Sequence, residues 1–437
     1  MPFADLDTAA VARALSQLVD EPDDLADAFF ERREEITLPM EEGIPGYQVV
    51  REEGLALRLI RGNRTWFASR DGVAPYLFTD ALRQVARVLP PAPYPEPKLP
   101  VSPWEQSTEA QELAELPRAL ERRLRQLHVA FPMRLTVRRH RRAIQVVGTQ
   151  LVPGLQQESF YSCRVELPWG SWGSLLPDLG EGEIIRCAQA LACSFQYHKA
   201  KPPQAGLAPV TLGPAAAAVL LHEAVAHALE VDTLTLGGNP EAAIGLELAD
   251  PRLSVLDDPK TAPEGVRRSS DDEGVPTCRR WLLNRGVVQQ PLADLSWARG
   301  SEKILPGAAR RGTRHQLPAP RSTHLEVLPG EESEEDLLSL SDGGLYIPEA
   351  SGGQLNPLDG TFQLRFPFAQ RIRGGVLEGA VGPGILTSRV GEMLASLRGV
   401  GDRPASCGAG WCAKQGVKVP VWATTPGLAL AEVSISP

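Results

Sequence analysis

Two histidines and a glutamate stand together in His222-Glu223-Ala224-Val225-Ala226-His227. Neutral imidazoles can hold a zinc ion, and a carboxylate beside them can take the proton of a water that the ion acidifies. In the familiar peptidase form, His-Glu-x-x-His, the histidines are four residues apart and share one helix face. Here they are five apart. At about 100° per residue, a regular α-helix would point the two rings roughly 140° apart. A widened turn of the π-bulge kind would bring them together, so the spacing predicts such a distortion between His222 and His227. The plainer reading is a core helix whose histidines only satisfy polar partners. Against it, Glu223 follows an apolar run from Ala215 to Leu221, and burying a carboxylate without a purpose is costly. A third ligand is needed, with a fourth position left for water. Cys412, Cys407, His315, His324, Glu230 and Asp232 are candidates, and spacing does not choose among them.

The elements that must position these groups read as α+β. The 437 residues exceed one ordinary core, so two domains are expected. Apolar spacing predicts a helix over Thr8–Val19. Strands are expected over 27–39, 46–61 and 66–69, followed by a helix from Phe78 to Val88 with Thr79 as N-cap. Residues 89–103 hold seven prolines and read as an irregular connector. A helix over 109–129, capped by Thr108, should kink or restart at Pro117. Strands at 133–151 and 158–167 and a helix over 181–197 complete an N-terminal α+β domain, residues 1–205. The boundary is placed in the proline- and glycine-containing stretch 199–212. Residues 206–437 then form a mainly β domain around a buried histidine helix, roughly 214–231, with Pro214 in its first turn. A further helix is expected near 331–340.

Composition narrows the function classes. With 43% hydrophobic and 23% charged residues the chain reads as soluble and globular. A net charge of −9 argues against direct nucleic-acid binding through phosphates. The basic run Arg138-Arg139-His140-Arg141-Arg142 is read as a solvated strand face. The acidic start lacks the layout of a secretory signal, and the apolar run before His222 is too short to span a membrane. Six sparse cysteines show no disulfide-scaffold spacing, which fits a reducing cytoplasm.

Several ordered motifs resemble the TldD/PmbA family of zinc peptidases, also called modulators of DNA gyrase. The histidine helix, Leu221 to Asp232, resembles the family's His-Glu-x-x-x-His followed by acidic residues. Asp271-Asp272-Glu273-Gly274-Val275-Pro276 matches its Asp-Asp-Glu-Gly-x-Pro signature. Ala309-Arg310-Arg311, Pro320-Arg321-Ser322-Thr323 and Gly352-Gly353-Gln354-Leu355-Asn356-Pro357 resemble further stretches. Trp411 to Pro420 resembles its Cys-Gly-Lys-x-Gly-x-x-Val-Pro segment, with Ala413 in place of the glycine and no glycine-rich tail after it. The resemblance covers the second half well and the first half in element order.

The resemblance implies zinc held by His222, His227 and Cys412, with Cys407 structural. Glu230 and Asp232 would support the ligands. This chain keeps the metal residues, which marks the TldD-like catalytic subunit rather than the TldE/PmbA kind. The implied activity is hydrolysis of short or unfolded peptides. Glu223 would serve as general base, passing the water's proton to the leaving amine. Extended peptide could pair with a strand near Gly352 and Gly353. Arg310, Arg311 and Arg321 could hold a substrate carboxylate, or form ordinary salt bridges. The implied assembly is a homodimer or a heterodimer with a TldE/PmbA-like subunit. Two rival readings are a non-catalytic partner subunit and a zinc amide hydrolase acting on a peptide-like natural product.

Overall fold

The computed structural model describes residue 3 and residues 6–41, 44–88, 110–127, 134–167, 170–178 and 180–437. The connector 89–103, the Thr108 cap and Met133 lie outside them. The N-terminal half is a seven-stranded antiparallel sheet among the described residues. In spatial order its strands are Arg64–Asp71, Gln48–Arg61, Leu25–Glu41, Arg134–Gly148, Leu151–Leu167 and Gly170–Leu176, with Ile44–Pro45 added to the third. Residues 33–40 alternate between half-buried and buried, as a strand with one covered face requires. The helices Thr8–Ser16 and Pro75–Val85 cover one part of the sheet, around Phe30, Leu57 and Phe78. Ala110–Gln126 and Glu181–Tyr197 cover another, around Leu124, Leu135 and Leu191.

One expectation at a helix end is corrected. Thr79 lies inside its helix, where its hydroxyl donates to the Pro75 carbonyl. The helix begins instead with Pro75 after an extended Ala74, because proline needs no amide partner in a first turn. Ala110–Gln126 runs as one helix through Pro117 and does not restart there.

The C-terminal half holds two larger sheets. A six-stranded one runs Val287–Val288, Arg280–Asn284, Val255–Asp257, His324–Val327, Val417–Thr425 and Ala405–Lys414. A nine-stranded one begins at the edge strand Gly352–Leu355 and passes through Thr361–Phe366, Gly384–Arg389, Leu428–Ser436 and Gly206–Leu212. The strand Gly206–Leu212 therefore starts inside the stretch in which the domain boundary was placed. Helix Pro214–Leu221 follows it at once, with every side chain from Ala216 to Leu221 buried. It shares one core with Val255, Leu325 and Ala423 of the first sheet and Leu364, Leu386 and Leu430 of the second. A helix that is apolar all round is stable only when sheets cover it on more than one side. Among the described residues no helix is long and apolar enough to cross a membrane.

Buried ion pairs join the halves. Arg58 on the N-terminal sheet donates to Glu273 Oε1 at 2.6 Å, and Arg142 reaches Asp272 at 3.4 Å. Arg268 pairs with both Glu158 and Asp272. The Asp-Asp-Glu-Gly signature thus forms a seam. Gly274 makes its turn at φ +83°, where a side chain would be strained. Asp271 accepts amides from Glu273 and Val275 to close the loop.

Candidate metal centre

The histidine helix changes pitch where the spacing requires it. Residues His222–Ala226 form a π turn, and the His227 amide donates to the His222 carbonyl, an i to i+5 bond. The two imidazoles come to lie on one side, with ring centroids 4.5 Å apart. Cys412 approaches from the strand Ala405–Lys414, at the edge of the six-stranded sheet, and its Sγ is 3.3 Å from His227 Nε2. One donor atom from each of His222, His227 and Cys412 falls within a 4.8 Å cluster, and all three residues are buried.

The remaining polar atoms point to a missing partner. His222 Nδ1 lies 3.3 Å from the Ser322 hydroxyl, while its Nε2 is buried without a hydrogen-bond partner. Burial and the neighbouring His227 both push the His222 pKa well down, so the ring is neutral with a lone pair to give. Burial works against charge on His227, but Glu230 and Cys412 outweigh it and push that pKa well up. His227 Nδ1 is 2.9 Å from Glu230 Oε2, so Nε2 is the nitrogen left for a metal. Two imidazoles, a thiol and a lone buried nitrogen suit a zinc ion, with room for a fourth ligand.

Glu230 is itself held in place. It is fully buried, which favours protonation, but His227, Arg321 and Lys414 outweigh burial and bring its pKa down to about 2. Lys414 Nζ donates to Glu230 at 2.6 Å, to Asp232 at 3.0 Å and to Thr233 at 2.6 Å. Lys414 stands two residues after Cys412, so this contact ties the cysteine's strand to the end of the histidine helix. Ala413 between them is ordinary strand paired with Lys418, so the absence of glycine there costs no strain.

Glu223 borders a cavity of about 410 Å³ that spans both halves. His222, Gly352, Gly353, Cys407 and the backbone of 408–411 line it, with Arg138, Arg164 and Trp172 from the N-terminal half. Burial pushes the Glu223 carboxyl up, toward the range where a base can both take and return a proton. The Leu355 amide hydrogen bonds to it. A Cβ on Gly353 would come within 2.5 Å of Glu223 Cγ, so only glycine lets this strand pass so close. Gly352–Leu355 pairs on one side only among the described residues and leaves its other edge free.

The other candidates stand outside the ligand cluster. Cys407 is half-buried, with Sγ 3.7 Å from the Ala423 carbonyl. His315 meets Ser69 and Asp71, and His324 meets Thr261 and Thr424. Arg310, Arg311 and Arg321 are fully buried and do not reach the cavity. Arg310 donates to Thr323 at 2.9 Å, Arg311 pairs with Asp27 at 3.1 Å, and Arg321 lies 3.5 Å from Glu230 and from Asp232. Their contacts are those of the seam and of the support of the centre. Sequence reasoning missed Ser322, Lys414 and the cavity-lining arginines. Ser322 and Lys414 both lay within stretches already marked by resemblance.

The second half of the chain is similar to known metallopeptidases. Residues 205–437 match the profile of the PmbA/TldA metallopeptidase C-terminal domain. A metalloprotease TldD homolog from Haemophilus influenzae is 32% identical over 238 residues, 53% of this chain and 48% of that protein. A zinc metalloprotease TldD homolog from Saccharolobus solfataricus is 26% identical over 230 residues, 51% of this chain and 50% of that one. The matched region spans about half the length of these relatives. Among solved structures, TldE from Thermococcus kodakarensis superposes with a TM-score of 0.73 at 18% identity, covering 98% of this chain and 99% of the other. A modulator of a DNA gyrase from Thermotoga maritima gives the same TM-score at 19% identity, with the same coverage. These two establish the shared fold.

Proposed function

Because the chain belongs to the PmbA/TldD metallopeptidase family, we propose that it is a zinc-dependent peptidase acting on short or unfolded peptides. The observation that carries the proposal is the clustering of His222, His227 and Cys412 around the unpartnered His222 Nε2. A zinc ion held by these three residues would supply Lewis acidity toward water and toward the scissile carbonyl. Glu223, whose carboxyl burial pushes up, receives the proton of the attacking water and returns it to the leaving amine. Glu230, itself held by Lys414, and Ser322 engage the Nδ1 atoms of His227 and His222, which leaves each Nε2 for a metal. The free edge of Gly352–Leu355 offers backbone donors and acceptors to an extended peptide running past Glu223. Assembly with a second copy or with a TldE/PmbA-like subunit belongs to the same reading.

The test compares wild type with Glu223→Ala on a panel of unfolded peptides while zinc content is measured. Zinc should be retained and cleavage reduced by about 10²–10⁴-fold. Unchanged cleavage would remove Glu223 from the mechanism, and absence of zinc from wild type would favour a non-catalytic subunit.

A further inference from the structure

The cavity beside Glu223 carries charge of mainly one sign. Arg138, Arg164, Arg186 and Lys418 line it, against Glu223 and Glu349 as the acids among the described residues. This stands out in a chain whose formal net charge is −9. Glu223 is committed to proton transfer, and Glu349 accepts the Trp172 indole N–H at 3.1 Å.

Arg138 and Arg164 are placed by strand register. Arg138 is paired with Ser162, and Thr136 with Arg164, on adjacent antiparallel strands of the N-terminal sheet. Residues two apart on a strand share a face, so both guanidinium groups project from the face that meets the cavity. Their carboxylate neighbours, Glu35 at 3.4 Å and Glu166 at 3.3 Å, are 42% and 46% exposed. Such open, solvent-screened pairs are weak and can yield to a better-placed carboxylate. Lys418 Nζ lies 4.9 Å from the centroid of the Trp411 ring and has no carboxylate within ion-pair distance among the described residues.

A neutral peptide gains hydrogen bonds from these cations but no charge pairing. A peptide carboxylate would face two planar forks and an ammonium at once, a bidentate, charge-assisted match with several cations together. We infer that the cavity selects peptides bearing a carboxylate, seated against Arg138, Arg164 and Lys418 while the rest of the chain reaches Glu223. The inference deepens the peptidase reading and rests on it for the identity of the occupant. The carboxylate is either the peptide's C-terminus or an Asp or Glu side chain, and the experiment separates the two.

One fluorescent peptide sequence is prepared in four forms, C-terminal acid or amide, each with Glu or Gln at one internal position. Binding is measured by anisotropy on Glu223→Ala, and hydrolysis on wild type. Carboxylate forms should bind roughly tenfold tighter than the neutral form, an advantage that appears in KM rather than kcat and shrinks in about 0.5 M salt. An acid-against-amide difference identifies the C-terminus as the source, and a Glu-against-Gln difference identifies the side chain. Arg138→Gln with Arg164→Gln should abolish the preference, while Arg138→Lys with Arg164→Lys should keep part of it. Equal binding of all four forms, or a preference that survives the glutamine pair together with Lys418→Gln, overturns the inference. If wild type cleaves all four forms equally, the peptidase reading stands and the inference falls. If carboxylate forms bind preferentially but wild type cleaves nothing, the inference stands and the peptidase reading falls.

Discussion

Glu230 donates no atom to the ligand cluster, yet three cationic or proton-bearing groups converge on it: His227, Arg321 and Lys414. Its work is to hold the His227 ring with Nε2 turned toward Cys412. Glu230→Gln should therefore weaken zinc binding about 10–100-fold in competition with a chelator, and Lys414→Met should act in the same direction. Unchanged affinity in both would mean that the ligands hold their own geometry. At this scale the sequence was readable where chemistry and spacing coincide, at His222, Glu223 and His227. Cys412 is one cysteine among six, 185 residues from His227, and only resemblance singled it out. Arg310, Arg311 and Arg321 were left between substrate contact and salt bridges because a buried, paired arginine and a substrate-facing one look the same in a sequence. What distinguishes them is the set of carboxylates that folding brings around them.

Among the elements, the π turn and the Gly352–Leu355 strand matter most to the site. The turn was legible from five-residue spacing alone, since no regular helix brings both rings to one point. The strand's closeness to Glu223 was not, because it depends on how two sheets pack around the helix. That packing makes a specific prediction. Gly353→Val drives a side chain into Glu223, where a Cβ already meets Cγ at 2.5 Å. Displacing a reacting group by about 1 Å can cost on the order of 10²-fold in rate. The variant should lose about that much in kcat while keeping its zinc, read by paired activity and metal assays. Normal kcat would show that Glu223 does not need its present position. Helix ends were less legible: Thr79 has the chemistry of a cap, but Pro75 starts the helix four residues earlier.

For the whole molecule, the seam between the halves decides acid stability. Burial disfavours charge on Asp272 and Glu158, but Arg268, Arg142 and Arg310 outweigh it and hold both below the usual carboxylate range. A carboxyl whose folded pKa is depressed contributes fully above its unfolded value and loses that contribution as pH falls through the folded one. The ordinary values are 3.8 and 4.5, so stability should drop as pH falls below about 4.5. Asp272→Asn breaks a buried pair and should cost about 3–5 kcal/mol at neutral pH. Its thermal midpoint should then approach that of wild type as pH is lowered toward 3. Parallel pH curves for the two proteins would remove the seam as the acid-sensitive part. The α+β class and the β-rich second half followed from local patterning. The seam and the cavity's cationic wall did not, because they arise from sheet pairings such as Glu31 with Ile144 and from contacts such as Arg58 with Glu273. The first spans more than 100 residues and the second more than 200, and no local signal marks either.

The central claim is that Cys412 completes a metal centre with the two helix histidines. Zinc stoichiometry and affinity of Cys412→Ser and Cys407→Ser, purified side by side, test it directly. Cys412→Ser should lose most of its zinc, while Cys407→Ser should bind as wild type does. The opposite ranking, or full zinc in both variants, would contradict the account.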